Sequence, residues 1–104
     1  MKTTDPFYLS ARWKRKRKHI MRRDGYMCQY FKRYGRFVPA VLVHHIFPRE
    51  DFPQYEMEDW NLIALSAEAH NKMHDRNTDD LTAEGIELLR RTARRQGIEV
   101  PEEI

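Results

Sequence analysis

Two short apolar runs and one histidine-bearing helix restrict this chain to few folds. The first run, VLVHHIFP at 41–48, stops at two adjacent histidines, His44 and His45, and Pro48 shuts it off just beyond. Its β-branched and apolar residues predict a strand over 41–46. The second run, WNLIAL at 60–65, predicts a short strand or extended segment. Ser66 follows as a helix N-cap, and Glu68 falls in the first turn, where the helix dipole favours an acid. The helix predicted over 67–75 carries His70 and His74, four apart and therefore on one face.

At 104 residues the chain reads as one domain with a small core. Its 40% hydrophobic and 34% charged residues fit a soluble globular protein. No apolar run reaches the ~18 residues of a membrane span. The basic run follows Tyr8 and leads into no apolar segment, unlike a secretory leader, so a cytoplasmic location is expected. The single cysteine, Cys28, has no partner for an internal disulfide.

A net charge of +3 conceals an asymmetry: residues 1–36 hold 12 Lys/Arg against two acids, and the remainder holds seven against 14. A basic half fits a phosphate-backbone partner, although such a run alone is as often a solvated face. Residues 1–9 read as an irregular arm, with Pro6 discouraging early helix. Ser10 caps a helix over 11–24 that Gly25 ends, with Trp13, Ile20 and Met21 on its apolar face. Residues 26–38 read as a hairpin or knuckle. Thr82 caps a last helix ending at Gly97, with Ile86, Leu89 and Ala93 inward, and Gly85 weakens its start. Arg12, Lys14, Arg15, Arg17, Lys18, Arg22 and Arg23, with Lys32, Arg33 and Arg36, are the candidate backbone contacts; Lys72 and Arg76 would flank a cut phosphate.

Two imidazoles one helical turn apart can share a metal ion, and one histidine from the preceding strand would complete a three-nitrogen site with open positions. The other histidine of the pair then stays unligated and, neutral near pH 7, can take a proton from water. One tension is explicit: neighbours on a regular strand point to opposite faces, yet both histidines must serve one site.

VHH, WNL and HNKMH, in that order and spacing, resemble the HNH endonuclease family. The resemblance implies an α+β domain, with a small ββα-metal core between a basic N-terminal helix and a C-terminal helix. It divides the chain into arm and helix (1–25), core (26–76) and closing helix with tail (77–104). It implies His44, His70 and His74 as metal ligands, His45 as general base and Asn61 as the residue bracing the loop that orients the base. The implied activity is metal-dependent endonuclease or nickase cleavage of DNA, leaving 3′-hydroxyl and 5′-phosphate ends. FYLSARWKRKR and RRDGYMCQ further resemble the lead-in of phage-type members encoded near terminase genes, so terminase or packaging proteins are expected partners beside DNA, and no membrane. Three imidazoles suit Zn²⁺, Ni²⁺ or Mn²⁺ better than Mg²⁺. Asp75 and Asp79 stand near enough to support the ligands, though each reads as an ordinary loop acid.

Phage-type members often carry two Cys-x-x-Cys pairs around a structural zinc. The corresponding positions here are Cys28, Phe31, Ser66 and Ala69. One thiolate cannot hold a tetrahedral zinc, so no structural zinc is expected and apolar packing should take its place. The alternative reading is a catalytically silent nucleic-acid-binding or packaging accessory protein that kept the fold.

Overall fold

The computed structural model describes residues 5–104. Its centre is a two-stranded antiparallel sheet, β1 (Leu42–His45) against β2 (Leu62–Leu65), with Leu42 opposite Leu65 and His45 opposite Leu62. Helices cover both faces. On one side lies α2 (Ala11–Arg23), preceded by the single turn α1 (Pro6–Leu9). On the other lie α4 (Ala67–Met73) and α5 (Ala83–Gln96), with the turn α3 (Gln29–Lys32) beside them.

Strand alternation distributes the core. Val43, Leu62 and Ala64 pack toward Trp13, Ile20 and Met21 of α2. Leu42, Ile63 and Leu65 pack toward Cys28, Phe31, Ala69, Met73, Leu88, Leu89 and Ala93. A fully buried leucine such as Leu89 contributes about 1.5–3 kcal/mol relative to exposure. Cys28, Phe31 and Ala69, three of the four positions where a zinc knuckle would hold its metal, lie in this one apolar cluster. The fourth, Ser66, spends its hydroxyl capping α4 by accepting from the Ala69 N–H at 3.2 Å.

Capping accounts for most element starts. The Ser10 hydroxyl accepts from the Trp13 N–H at 3.1 Å, and the Thr82 hydroxyl from the Gly85 N–H at 3.2 Å. Gly97 closes α5 at φ 68°. Gly85 owes its place to a close approach: an added Cβ would sit 2.5 Å from the Met73 carbonyl oxygen. Inside α5, Leu88 joins Leu89 and Ala93 as a buried residue, whereas Ile86 is only partly covered.

Several expectations need correction. The arm over 1–9 is not irregular beyond Asp5 (residues 1–4 lie outside the described residues). Pro6 opens α1 instead, because a first-turn residue needs no N–H, and Asp5 Oδ1 caps the Phe7 N–H at 2.9 Å. The 26–38 segment is a knuckle enclosing α3, closed by the Met27–Pro39 bridge and by the Cys28 N–H donating to the Val38 carbonyl at 2.7 Å. Residues 60 and 61 belong to a 3-10 turn, Asp59–Asn61, so β2 begins at Leu62. Helix α4 ends at Met73, not 75. Thr82 donates its hydroxyl to the Lys72 carbonyl and its N–H to the Met73 carbonyl (2.9 Å), taking up acceptors a longer helix would have used. His74 is therefore extended, φ −125° and ψ 143°, and bridges to Leu81. Among the described residues no helix is long and apolar enough to cross a membrane.

Candidate active site

The pleat sends His44 and His45 to opposite faces of the sheet. The cavity they share lies across the end of the strand. His44 turns toward α4, with its ring centroid 5.3 Å from His70 and 5.2 Å from His74, themselves 5.1 Å apart. His45 turns toward α2 and stacks on Trp13 at 5.1 Å and 21°. Both line one cavity of about 420 Å³, together with His70, His74 and Arg49.

One ligand nitrogen from each of His44, His70 and His74 lies within 4.8 Å of the other two. Some point therefore lies within about 2.8 Å of all three atoms (4.8 divided by √3). Typical imidazole–metal distances are ~2.0–2.1 Å, so sub-ångström ring movements would close the set on one ion. Two further observations fit a metal. His44 Nε2 is buried and has no hydrogen-bond partner, a state that costs about 1–3 kcal/mol unless something binds it. His74 Nδ1 lies 3.1 Å from the Asp79 carbonyl, so it carries the proton and leaves Nε2 as the ligand atom. Asp79 thus supports this candidate ligand through its backbone, held at φ 65°. Burial holds the His44 pKa well below the ordinary imidazole value, and the neighbouring His70 and His74 push it further down. Burial lowers His70 as well, with His74 adding to the effect. Neutral imidazoles are the ligating form.

His45 is fixed from three sides. Its Nε2 lies 3.0 Å from the Glu56 carbonyl, an acceptor only, so Nε2 carries the proton and Nδ1 keeps the lone pair. Trp13 and Phe7 hold the ring plane. Burial lowers its pKa, only partly offset by the Glu56 carbonyl. A neutral, oriented imidazole at the cavity wall can accept a proton.

Asn61 does not line the cavity; it is a fully buried positioning residue. Its Oδ1 accepts from the Phe47 N–H at 2.7 Å, and its Nδ2 donates to the Phe47 carbonyl (3.2 Å) and the Tyr55 carbonyl (3.1 Å). These bonds clamp both ends of the loop that presents the Glu56 carbonyl to His45.

The expected cationic grip is partly rearranged. Arg12, Lys14, Arg15, Lys18, Arg22, Lys32, Arg33, Arg36 and Arg76 are exposed, Lys72 is half-buried, and none of them lines the cavity. Arg17 is exposed but donates to the Val41 carbonyl at 3.0 Å. Arg23 is a clasp between α2 and the sheet: it pairs with Asp24 and donates to the Asp59 carbonyl (2.8 Å) and the Leu62 carbonyl (2.6 Å). The cavity's own cation, Arg49, is missing from the expected set, as are Asp5, Tyr8 and Glu50. A charged residue directly after the strand-closing Pro48 was the available signal; its partner Asp5, 44 residues earlier, was not visible in any local pattern.

Two antiparallel strands followed by a helix, with three imidazoles converging at their junction, define a ββα element built around a candidate metal centre. No family model and no curated protein sequence matches the chain. Among solved structures it is similar to the HNH endonuclease of the deep-sea thermophilic bacteriophage GVE2, determined with a manganese ion. The likeness has a TM-score of 0.62 and 32% identity and covers 64% of this chain and 72% of the phage protein. This chain belongs to the HNH endonuclease family.

Proposed function

We propose that the chain is a metal-dependent endonuclease or nickase that hydrolyses phosphodiester bonds in DNA, with residues 1–104 acting as one nuclease domain. The observation that carries this reading is the pairing of a three-imidazole cluster with a fourth, separately oriented imidazole at the same cavity. His44, His70 and His74 would hold one divalent ion, with Mn²⁺, Ni²⁺, Zn²⁺ and Mg²⁺ as candidates. When bound, such an ion supplies Lewis acidity that stabilises the charge building on the phosphate and the departing oxygen. His45 accepts a proton from water at Nδ1 while Nε2–H stays on the Glu56 carbonyl, which also stabilises the imidazolium that results. Asn61 keeps that carbonyl in place. The exposed cations of α2 and the knuckle meet phosphates, which gives affinity without base readout.

Nicking of supercoiled plasmid with Mn²⁺, Ni²⁺, Zn²⁺ or Mg²⁺, run beside His45→Ala and His70→Ala, tests the assignment. His45→Ala should lower cleavage about 10²- to 10⁴-fold with metal affinity, read by calorimetry, nearly unchanged. His70→Ala should weaken metal binding itself. Cleavage that survives in His45→Ala removes His45 as base. Absence of cleavage with every ion, with DNA still bound, favours the silent accessory protein.

A further inference from the structure

Arg49 is the cation of a cavity lined also by Asp5, Tyr8, Glu50, Asp79 and four histidines. It has no part in the chemistry assigned so far. Its guanidinium is held at two ends: Nη1 lies 3.3 Å from Glu56 Oε1, and Nη2 pairs with Asp5 Oδ2. Its Cζ lies over the Phe7 ring, 4.2 Å from the ring centroid.

The two carboxylates are not equivalent. Glu56 is the residue whose backbone carbonyl orients His45, so a single residue sets the spacing between the guanidinium and the base. Asp5 is the N-cap of α1, and both it and Tyr8 of that turn line the cavity. Among the contacts that seat α1 are those of Asp5, Phe7 and Tyr8 with Arg49 and His45, and of the two rings with Trp13. No residue of this turn is fully buried. A planar guanidinium binds a phosphate diester through the same paired N–H donors it offers a carboxylate. Asp5 therefore occupies an anion position on the cavity that the histidines also line.

Building on the nuclease reading, we infer that Arg49 is a phosphate-binding residue of the active site, and that Asp5 fills the phosphate's place until DNA displaces it. Glu56 stays on Nη1 throughout and keeps the guanidinium aligned with His45. Exchange frees the Asp5 carboxylate and unlatches α1 from the mouth of the cavity. The occupant is a backbone phosphodiester of the bound strand, the one anion every DNA site presents.

Binding of a short duplex in EDTA, where nothing is cleaved, tests this apart from catalysis. Asp5→Asn keeps an oxygen for the Phe7 N–H but removes the competing charge, and should tighten binding about fivefold. Arg49→Met should weaken binding and reduce the slope of log Kd against log salt by about 0.9, the share of one phosphate contact. The gain from Asp5→Asn should fall to less than half in the Arg49→Met background. An unchanged salt slope in Arg49→Met, or the same Asp5→Asn gain in both backgrounds, overturns the inference, since Arg49 would then be structural and Asp5 merely repulsive. Arg49→Lys keeps the charge and should retain the slope at an unchanged melting temperature; a slope lost in Arg49→Lys with the melting temperature unchanged also overturns the inference. Failure of the nuclease reading shows separately, as no plasmid nicking by the unaltered protein.

Discussion

Asn61→Ala should disable the protein twice over, and the two effects can be separated. The side chain makes three hydrogen bonds at a fully buried position, so truncation strands the Phe47 N–H and the Phe47 and Tyr55 carbonyls. Net loss of about 1 kcal/mol per bond, plus desolvation left uncompensated at Phe47, gives roughly 3–5 kcal/mol. A domain of this size has about 5–15 kcal/mol in total. Urea unfolding followed by tryptophan fluorescence reads this term through Trp60, whose ring meets Phe47 and Tyr55, and Trp13, which stacks on His45. The second effect is on catalysis. The loop held by Asn61 carries the carbonyl that orients His45, so kcat corrected for folded fraction should still fall at least about tenfold, with metal affinity kept. Asn61→Asp preserves size and the acceptor for the Phe47 N–H but points a second oxygen at two carbonyls, and should recover less than half the stability. A loss below about 1 kcal/mol in Asn61→Ala, or full kcat in the folded fraction, would refute the clamp.

Burial depresses the pKa of His44, His45 and His70, while in the unfolded chain they titrate near ~6.5. The unfolded state thus binds protons first, so this part of the stability is intact above about pH 6.5 and is lost as pH falls toward the folded-state values; denaturation midpoints flat between pH 7.5 and 5 would contradict this. Mn²⁺ or Zn²⁺ at a hundredfold excess over its Kd should raise the unfolding free energy by about 2.7 kcal/mol, and His44→Ala should abolish the increment in a thermal melt. Gly85→Ala should push α5 off the Met73 carbonyl, costing about 1–3 kcal/mol; because His74 follows Met73, metal affinity should drop with it, and unchanged affinity would show that the α4–α5 junction leaves the site alone. Trp13→Leu should lower kcat more than metal affinity by removing the stack on His45.

Local signals predicted what local physics builds. Ser10, Ser66 and Thr82 cap the helices expected of them, and four histidines line one cavity, although His74 reaches it from an extended residue and not from the helical turn its spacing predicted. What escaped depends on residues far apart in the chain. Nothing near His74 says that Thr82 will take the Lys72 and Met73 carbonyls and end the helix two residues early. Arg23 reads as one cation among many until its carbonyl partners at Asp59 and Leu62 are placed beside it. Arg49 gains meaning only from Asp5 and Glu56, which arrive from opposite sides along the chain.

The register of the short hairpin has a genetic corollary. Leu42 opposite Leu65 assigns odd and even positions of β1 to different faces, so one imidazole turns toward α4, where it is proposed to bind metal, and its neighbour toward α2, where it is proposed to accept a proton. Exchanging one side chain along 42–45 perturbs one job at a time. A single-codon insertion or deletion there would swap the two jobs at once and turn Val43's side of the ribbon toward the wrong helix. This stretch should therefore tolerate point changes far better than changes of length.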